Sequence, residues 1–267
     1  MNRELELILL DDMKYILMAS GFKTKDINYN KNKILEAIHT IAKKDDFLLF
    51  GESFLQGFDA LSWNYEIDQH IAIEQSDAII QEIQKACSSN QVNVSFGYFE
   101  KENESIYSSQ ITIGQDGNIL DDYRRISKGW KVKEADHHYV EGDKFHTFMF
   151  ENENISIGLC GDFWYEENIR QMKELKPSIV LWPVYTDFDV KEWNESIIYD
   201  YCEQASKLDT LVGCVNSVCL DESSEILAKG GASWFKDKEI ISKVNAGKEG
   251  YCILQHGNDY SLPCCKH

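Results

Sequence analysis

Apolar positions along the chain change period many times, and each change marks an element. Residues 15–19 form a short apolar run. Ile34, Leu35, Ile38, Ile41 and Ala42 then recur at helical spacing. Residues 46–50 include four apolar positions in a row, as in a strand covered on both faces. Ile79, Ile83, Ala86 and Cys87 share one face of a helix over residues 76–87, and Val92, Val94, Phe96 and Tyr98 alternate as a strand. Residues 108–114 and 119–120 flank the turn sequence QDGN and read as a hairpin. Strands follow at 145–150 and 155–160, then a helix at 168–175 that stops before Pro177, a strand at 179–183, a helix at 192–208 and a strand at 211–215. The end reads as a meander through Trp234, Phe235 and residues 239–244. Alternating strands and helices with inserted hairpins predict an α/β fold with a mixed sheet, or two sheets, and helices on the outer faces. With 3 prolines, no Gly/Ser-rich linker and no repeat, the whole chain, 1–267, reads as a single domain.

Charge narrows the class of partner. The chain carries 45 acidic against 27 basic residues, a net charge of −18, and such a surface repels nucleic acid and anionic membranes. No stretch approaches the roughly 20 apolar residues that span a bilayer. The N-terminal sequence MNRELELILLDD mixes charges into its apolar run, unlike a secretory signal, so a cytoplasmic protein with reduced thiols is expected. Its 8 cysteines include no CxxC pair. Cys202, Cys214 and Cys219 have no histidine nearby, so no metal site is expected. Cys264 and Cys265, expected to be exposed, are given no role.

Candidate chemistry lies where buried strands end, the place where open α/β sheets bind ligands. In NISIGLCGDFWYEEN, Ile155, Ile157 and Leu159 alternate with small residues, and Cys160 stands at the turn into Gly161. The strand ending at Phe50 is followed by Gly51 and Glu52. A thiol needs a base to become a nucleophile at neutral pH, and a glutamate can serve. A cation or a backbone N–H must then hold the developing oxyanion.

These residues, in this order, resemble the nitrilase, or carbon–nitrogen hydrolase, superfamily. Its first motif is matched by FLLFGESFLQGF, with Glu52 at the catalytic glutamate and Gly51 in place of the usual proline. Its cysteine motif is matched by IGLCGDFWYEE, with Cys160 at the nucleophile and Asp162, Tyr165 and Glu167 in step, while Gly161 and Glu166 depart from the pattern. IVLWPVY, Trp193, Asn216 and GGASWF also fit, so the likeness runs from about Tyr15 to Leu254.

The resemblance implies a four-layer α-β-β-α sandwich and a Glu-Lys-Cys triad. It implies hydrolysis of a small-molecule amide, carbamoyl compound or nitrile through a thioester, with ammonia released and no metal or organic cofactor. It also implies a homodimer. The lysine motif is the imperfect one: in DGNILDDYRRISKGWK, Arg125 stands at the lysine position. Arginine cannot release a proton at working pH but can hold an oxyanion. Our reading therefore places Lys128 in the cation role through a shift of the loop, with Arg125 and Lys131 as alternatives. Glu134 is the candidate for the second glutamate often found near the family's triad. Trp182 and Tyr185 are candidates to line the pocket, and His137 and His138 read as loop residues. The altered lysine motif also admits a rival reading, a nitrilase-like scaffold that binds a small molecule or a protein without turnover.

Overall fold

The computed structural model describes residues 13–222 and 227–255, together with the backbone of 264–266. The N-terminal dodecapeptide and the side chains of Cys264 and Cys265 lie outside the described residues. In chain order the strands are β1 (Lys14–Ala19), β2 (Gly21–Phe22), β3 (Phe47–Phe50), β4 (Asn93–Glu102), β5 (Ser105–Ile113), β6 (Ile119–Arg124), β7 (Thr147–Phe150), β8 (Glu153–Ile157), β9 (Ile179–Val184), β10 (Leu211–Asn216), β11 (Val218–Cys219), β12 (Ala232–Lys236), β13 (Glu239–Val244), β14 (Gly250–Gln255) and β15 (Cys264–Lys266). The longer helices are α1 (Ile27–Thr40), α2 (Ala78–Asn90), α3 (Glu166–Leu175) and α4 (Ile198–Ser206).

Two large sheets form. One runs β15-β14-β1-β3-β4-β5-β6 and the other β13-β12-β10-β9-β8-β7. Strand alternation assigns their faces. Tyr15, Leu17, Phe47 and Leu49 enter the core shared with Ile155, Ile157, Val212 and Trp234 of the second sheet. Ile16, Met18, Leu48 and Phe50 turn the other way, onto Ile34 and Ile38 of α1 and Ile80 and Ile83 of α2. On the far side of the second sheet, Ile169 and Met172 of α3 and Ile198 and Tyr201 of α4 are buried. The order is therefore helix, sheet, sheet, helix, the expected four-layer sandwich. No helix among the described residues is long and apolar enough to cross a membrane.

Three local features differ from the sequence reading. β14 pairs antiparallel with β1, Leu17 opposite Cys252, and so returns the chain from the second sheet to the first. The helix expected at 192–208 opens instead with a short turn, Val190–Glu192, and a wide π-type turn, Trp193–Ile197, before α4. The strand expected to reach Cys160 ends at Ile157, and Cys160–Trp164 forms a 3₁₀ turn.

Candidate active site

Glu52 leaves the end of β3 in a turn that lies directly on β4. A Cβ on Gly97 would lie 2.2 Å from the Ser53 nitrogen, and Gly97 N–H donates to the Gly51 carbonyl at 3.2 Å. Gly51 also passes the second sheet: a Cβ there would lie 2.5 Å from Ser217 Oγ. Two glycines thus let the first sheet present Glu52 at the seam between the sheets. The glutamate is 1% exposed. Its Oε1 accepts from Arg125 Nη1 at 2.8 Å and from Ser108 Oγ at 3.2 Å, while its buried Oε2 has no hydrogen-bond partner among the described residues.

Arg125 follows β6, and alternation fixes its direction. Tyr123 and Arg125 are buried, whereas Arg124 points outward to Glu100 and Glu102. The backbone at 125 is held on both sides, its N–H by the Ser108 carbonyl (2.9 Å) and its carbonyl by Gly142 N–H (2.8 Å). Arg125 Nε donates to Ser127 Oγ at 2.9 Å. Burial opposes its charge, but Glu52, the Cys160 sulfur and Asp162 outweigh that penalty and raise its pKa further above the already high arginine value. Its Nη2 makes no hydrogen bond to the described protein.

Cys160 follows β8 at φ +40°, a left-handed conformation that non-glycine residues rarely adopt and that often marks functional turns. Two features hold this turn. Gly158 admits the Phe163 ring, which would stand 2.2 Å from a Cβ there. Asp162, fully buried, accepts from Leu159 N–H (2.7 Å), Ser127 N–H (2.8 Å) and Tyr123 OH (2.7 Å). One carboxylate therefore ties the cysteine turn to the segment carrying Arg125. The Cys160 carbonyl accepts from Trp182 Nε1 at 2.9 Å, and its thiol donates to the Tyr185 carbonyl at 3.4 Å. Burial, then the charge of Glu52, pushes the thiol up to about 12, and Arg125 opposes the rise. The residue keeps partial exposure.

Glu52, Arg125 and Cys160 are thus brought together. Lys128, expected as the cation, is not among them: it is exposed, beyond the turn at Ser127, because the β5–β6 ladder is regular from Asp121 to Arg124 and delivers the residue two after Tyr123. Lys131 is engaged elsewhere, with the Tyr139 carbonyl and, at 3.0 Å, Glu141. Glu134 is exposed in the following loop and does not join the buried group. Trp182 is completely buried, stacked on Tyr201 (4.9 Å), so it supports the cysteine turn from behind rather than lining an opening. Tyr185 presents its main chain to the thiol, while its ring stacks on Phe58 (4.5 Å) and its hydroxyl donates to Asp59 (2.7 Å). Ser108, Ser127 and Asp162 were not picked out as site residues. The two serines carry no motif, and the only signal for Asp162 was its place two residues after the cysteine. As for metal ligands, among the described residues one group, Asp136, His137 and His138, has ligand atoms within 4.8 Å of one another. It lies on a surface loop, with His138 bonded to Asp136 (2.8 Å) and stacked on Tyr65.

Two sheets between helix layers, with a thiol, a carboxylate and a guanidinium at one seam, define a four-layer α-β-β-α class of protein. Residues 15–195 match the carbon-nitrogen hydrolase family, and the chain belongs to it. It is 25% identical over 169 residues to an (R)-stereoselective amidase of Pseudomonas sp., a match covering 63% of this chain and 59% of the amidase. It is 29% identical over 180 residues to a cyanide hydratase of Gibberella baccata, covering 61% of this chain and 49% of the hydratase. The match thus spans about half to three-fifths of these relatives. In fold it resembles an amidase from Nesterenkonia sp. AN1 that carries acrylamide added to its active-site cysteine, with a TM-score of 0.73 and 16% identity over 93% of this chain and 94% of that one.

Proposed function

We propose that this chain hydrolyses a non-peptide C–N bond of a small amide, carbamoyl compound or nitrile, with Cys160 as nucleophile, Glu52 as base and Arg125 as the fixed cation. One observation carries the reading: a strained, partly exposed thiol shares its surroundings with a buried carboxylate and a guanidinium that are 2.8 Å apart. A thiol held near 12 is neutral at pH 7, so attack needs the proton removed as the S–C bond forms. The unpartnered Glu52 Oε2 is the acceptor for it. For an amide, sulfur adds to the carbonyl carbon, and the oxyanion is held by Arg125 Nη2 and a main-chain N–H after the cysteine. The C–N bond then breaks, Glu52 returns its proton to the departing amine, and a thioester remains. Water, deprotonated by Glu52, cleaves the thioester to the acid and restores the thiol. The relatives' names, an amidase and a cyanide hydratase, support an amide or nitrile as the substrate class. By analogy with the family the active form is a homodimer.

A panel of simple amides and nitriles, assayed for ammonia release, tests the reading. Wild type should turn over at least one member and accumulate a Cys160 acyl adduct detectable by mass spectrometry. Cys160→Ala should lower turnover by at least ~10³-fold with the fold intact. Unchanged turnover in that variant refutes the mechanism. The rival reading, binding without turnover, draws on the Glu52–Arg125 ion pair, in which each charge already satisfies the other. It predicts saturable binding of a panel member with no ammonia released.

A further inference from the structure

Two departures from the family pattern, Gly161 in the cysteine motif and Arg125 in the lysine motif, meet in space. A Cβ on Gly161 would lie 2.5 Å from Arg125 Nη2 and 3.1 Å from Ser127 Oγ, well inside contact distance for the first. The guanidinium has little freedom to withdraw. It is 4% exposed, its Nε is bonded to Ser127 and its Nη1 to Glu52. Nor does the backbone require glycine here, because the left-handed step is taken by Cys160 and Gly161 is not among the positive-φ glycines. Space selects the residue.

We infer that Gly161 is a positioning residue whose missing side chain admits an arginine beside the nucleophile. The proposal rests on the assignment of Cys160 and Arg125 above. Arginine ends in a flat fork several atoms wide, whereas lysine ends in a single ammonium on a flexible stem. With glycine at 161, the fork can grip Glu52 and Ser127 on one side and keep Nη2 against the main chain that follows Cys160. With any larger residue there, the fork must give up one of those bonds. Residues 125 and 161 therefore form one functional pair: a lysine would tolerate a side chain at 161, and this arginine does not.

The test is a double-mutant cycle on Arg125→Lys and Gly161→Ala. Its readout is the pH profile of Cys160 alkylation by iodoacetamide, followed by mass spectrometry, with the thermal midpoint as a second measurement. In the arginine background, Gly161→Ala should move the guanidinium off the thiol, shift the profile to higher pH and slow alkylation at fixed pH by about tenfold or more. In the Arg125→Lys background the same alanine should change the rate by less than about twofold. An equal loss in both backgrounds overturns the pairing. If Gly161→Ala fails to fold while the double variant folds, the pairing stands. If neither folds, the added methyl collides with something other than the guanidinium and the inference falls. Alkylation needs no substrate, so a wild type that turns over no amide would sink the hydrolase reading and leave this cycle to be judged on its own.

Discussion

At the scale of single residues, burial raises the pKa of Cys160 most, the Glu52 carboxylate adds to the rise and the Arg125 guanidinium opposes it. The balance predicts opposite responses in two assays. Replacing Glu52 by Gln removes the negative charge facing the thiol and leaves Arg125 unpaired, so thiolate forms at lower pH. Iodoacetamide alkylation of Cys160 should then have its midpoint clearly below that of the wild type and run faster at pH 8–9. On the proposed mechanism, amide turnover should nevertheless fall by about 10²–10⁴-fold, because the variant has no base at 52 to take the proton or return it to the amine. An alkylation profile that stays put or moves upward would show that Glu52 does not face the sulfur. Cys160 and Glu52 were both legible in the sequence because each stands one or two residues past a buried apolar run, where a side chain is delivered to a sheet edge. The structure brings Arg125 rather than the expected Lys128 beside Cys160 and Glu52, since the expectation weighed residue type above strand direction. Alternation through Tyr123 already required Arg125 to point inward, whatever its chemistry.

At the scale of elements, the seam that holds the candidate site depends on close backbone approach, which a sequence signals only weakly. The apolar runs of β3, β8 and β9 announced themselves, and so did the faces of α1 and α2. The pairing of β14 with β1 joins residues more than two hundred positions apart, and no local pattern encodes such a partner. Gly97 is of the same kind. It sits in a clean alternating strand, and only the structure shows why it has no side chain. A Cβ there would lie 2.2 Å from the Ser53 nitrogen and 2.7 Å from the Gly51 carbonyl oxygen, both main-chain atoms that cannot rotate aside. Gly97→Ala should therefore destabilise the fold by about 1–3 kcal/mol, read as a drop in thermal midpoint of roughly 2–4 °C per kcal/mol. Turnover should fall as well, because the displaced turn carries Glu52. A midpoint within error of wild type would mean that β4 and the Glu52 turn are not in contact.

At the scale of the whole molecule, the two sheets divide the candidate chemistry between them. Glu52 and Arg125 come from one and Cys160 from the other, so the site exists only while both sheets stay packed across the core of Tyr15, Phe47, Ile157 and Trp234. The surface works against that packing. With 45 acidic and 27 basic residues, like charges crowd a compact body. The ion pairs that offset them are mostly at the surface, such as Lys31–Glu82, Arg170–Glu167 and Lys207–Glu166, each worth about 0–1 kcal/mol. The buried Arg125–Glu52 pair is shielded from added ions. Raising the ionic strength from ~0.01 M to ~0.15 M shortens the screening length from about 30 Å to about 8 Å, which weakens repulsion across the whole surface and costs little in short-range pairs. Repulsion is thus the larger of the two salt-sensitive effects, and its loss stabilises the folded chain. The thermal midpoint should climb through a sodium chloride series over that range and climb equally in potassium chloride, since screening does not depend on which monovalent cation provides it. A flat or falling midpoint would mean that the ion pairs outweigh the repulsion, and a response to one cation alone would point to a specific binding site rather than to the net charge.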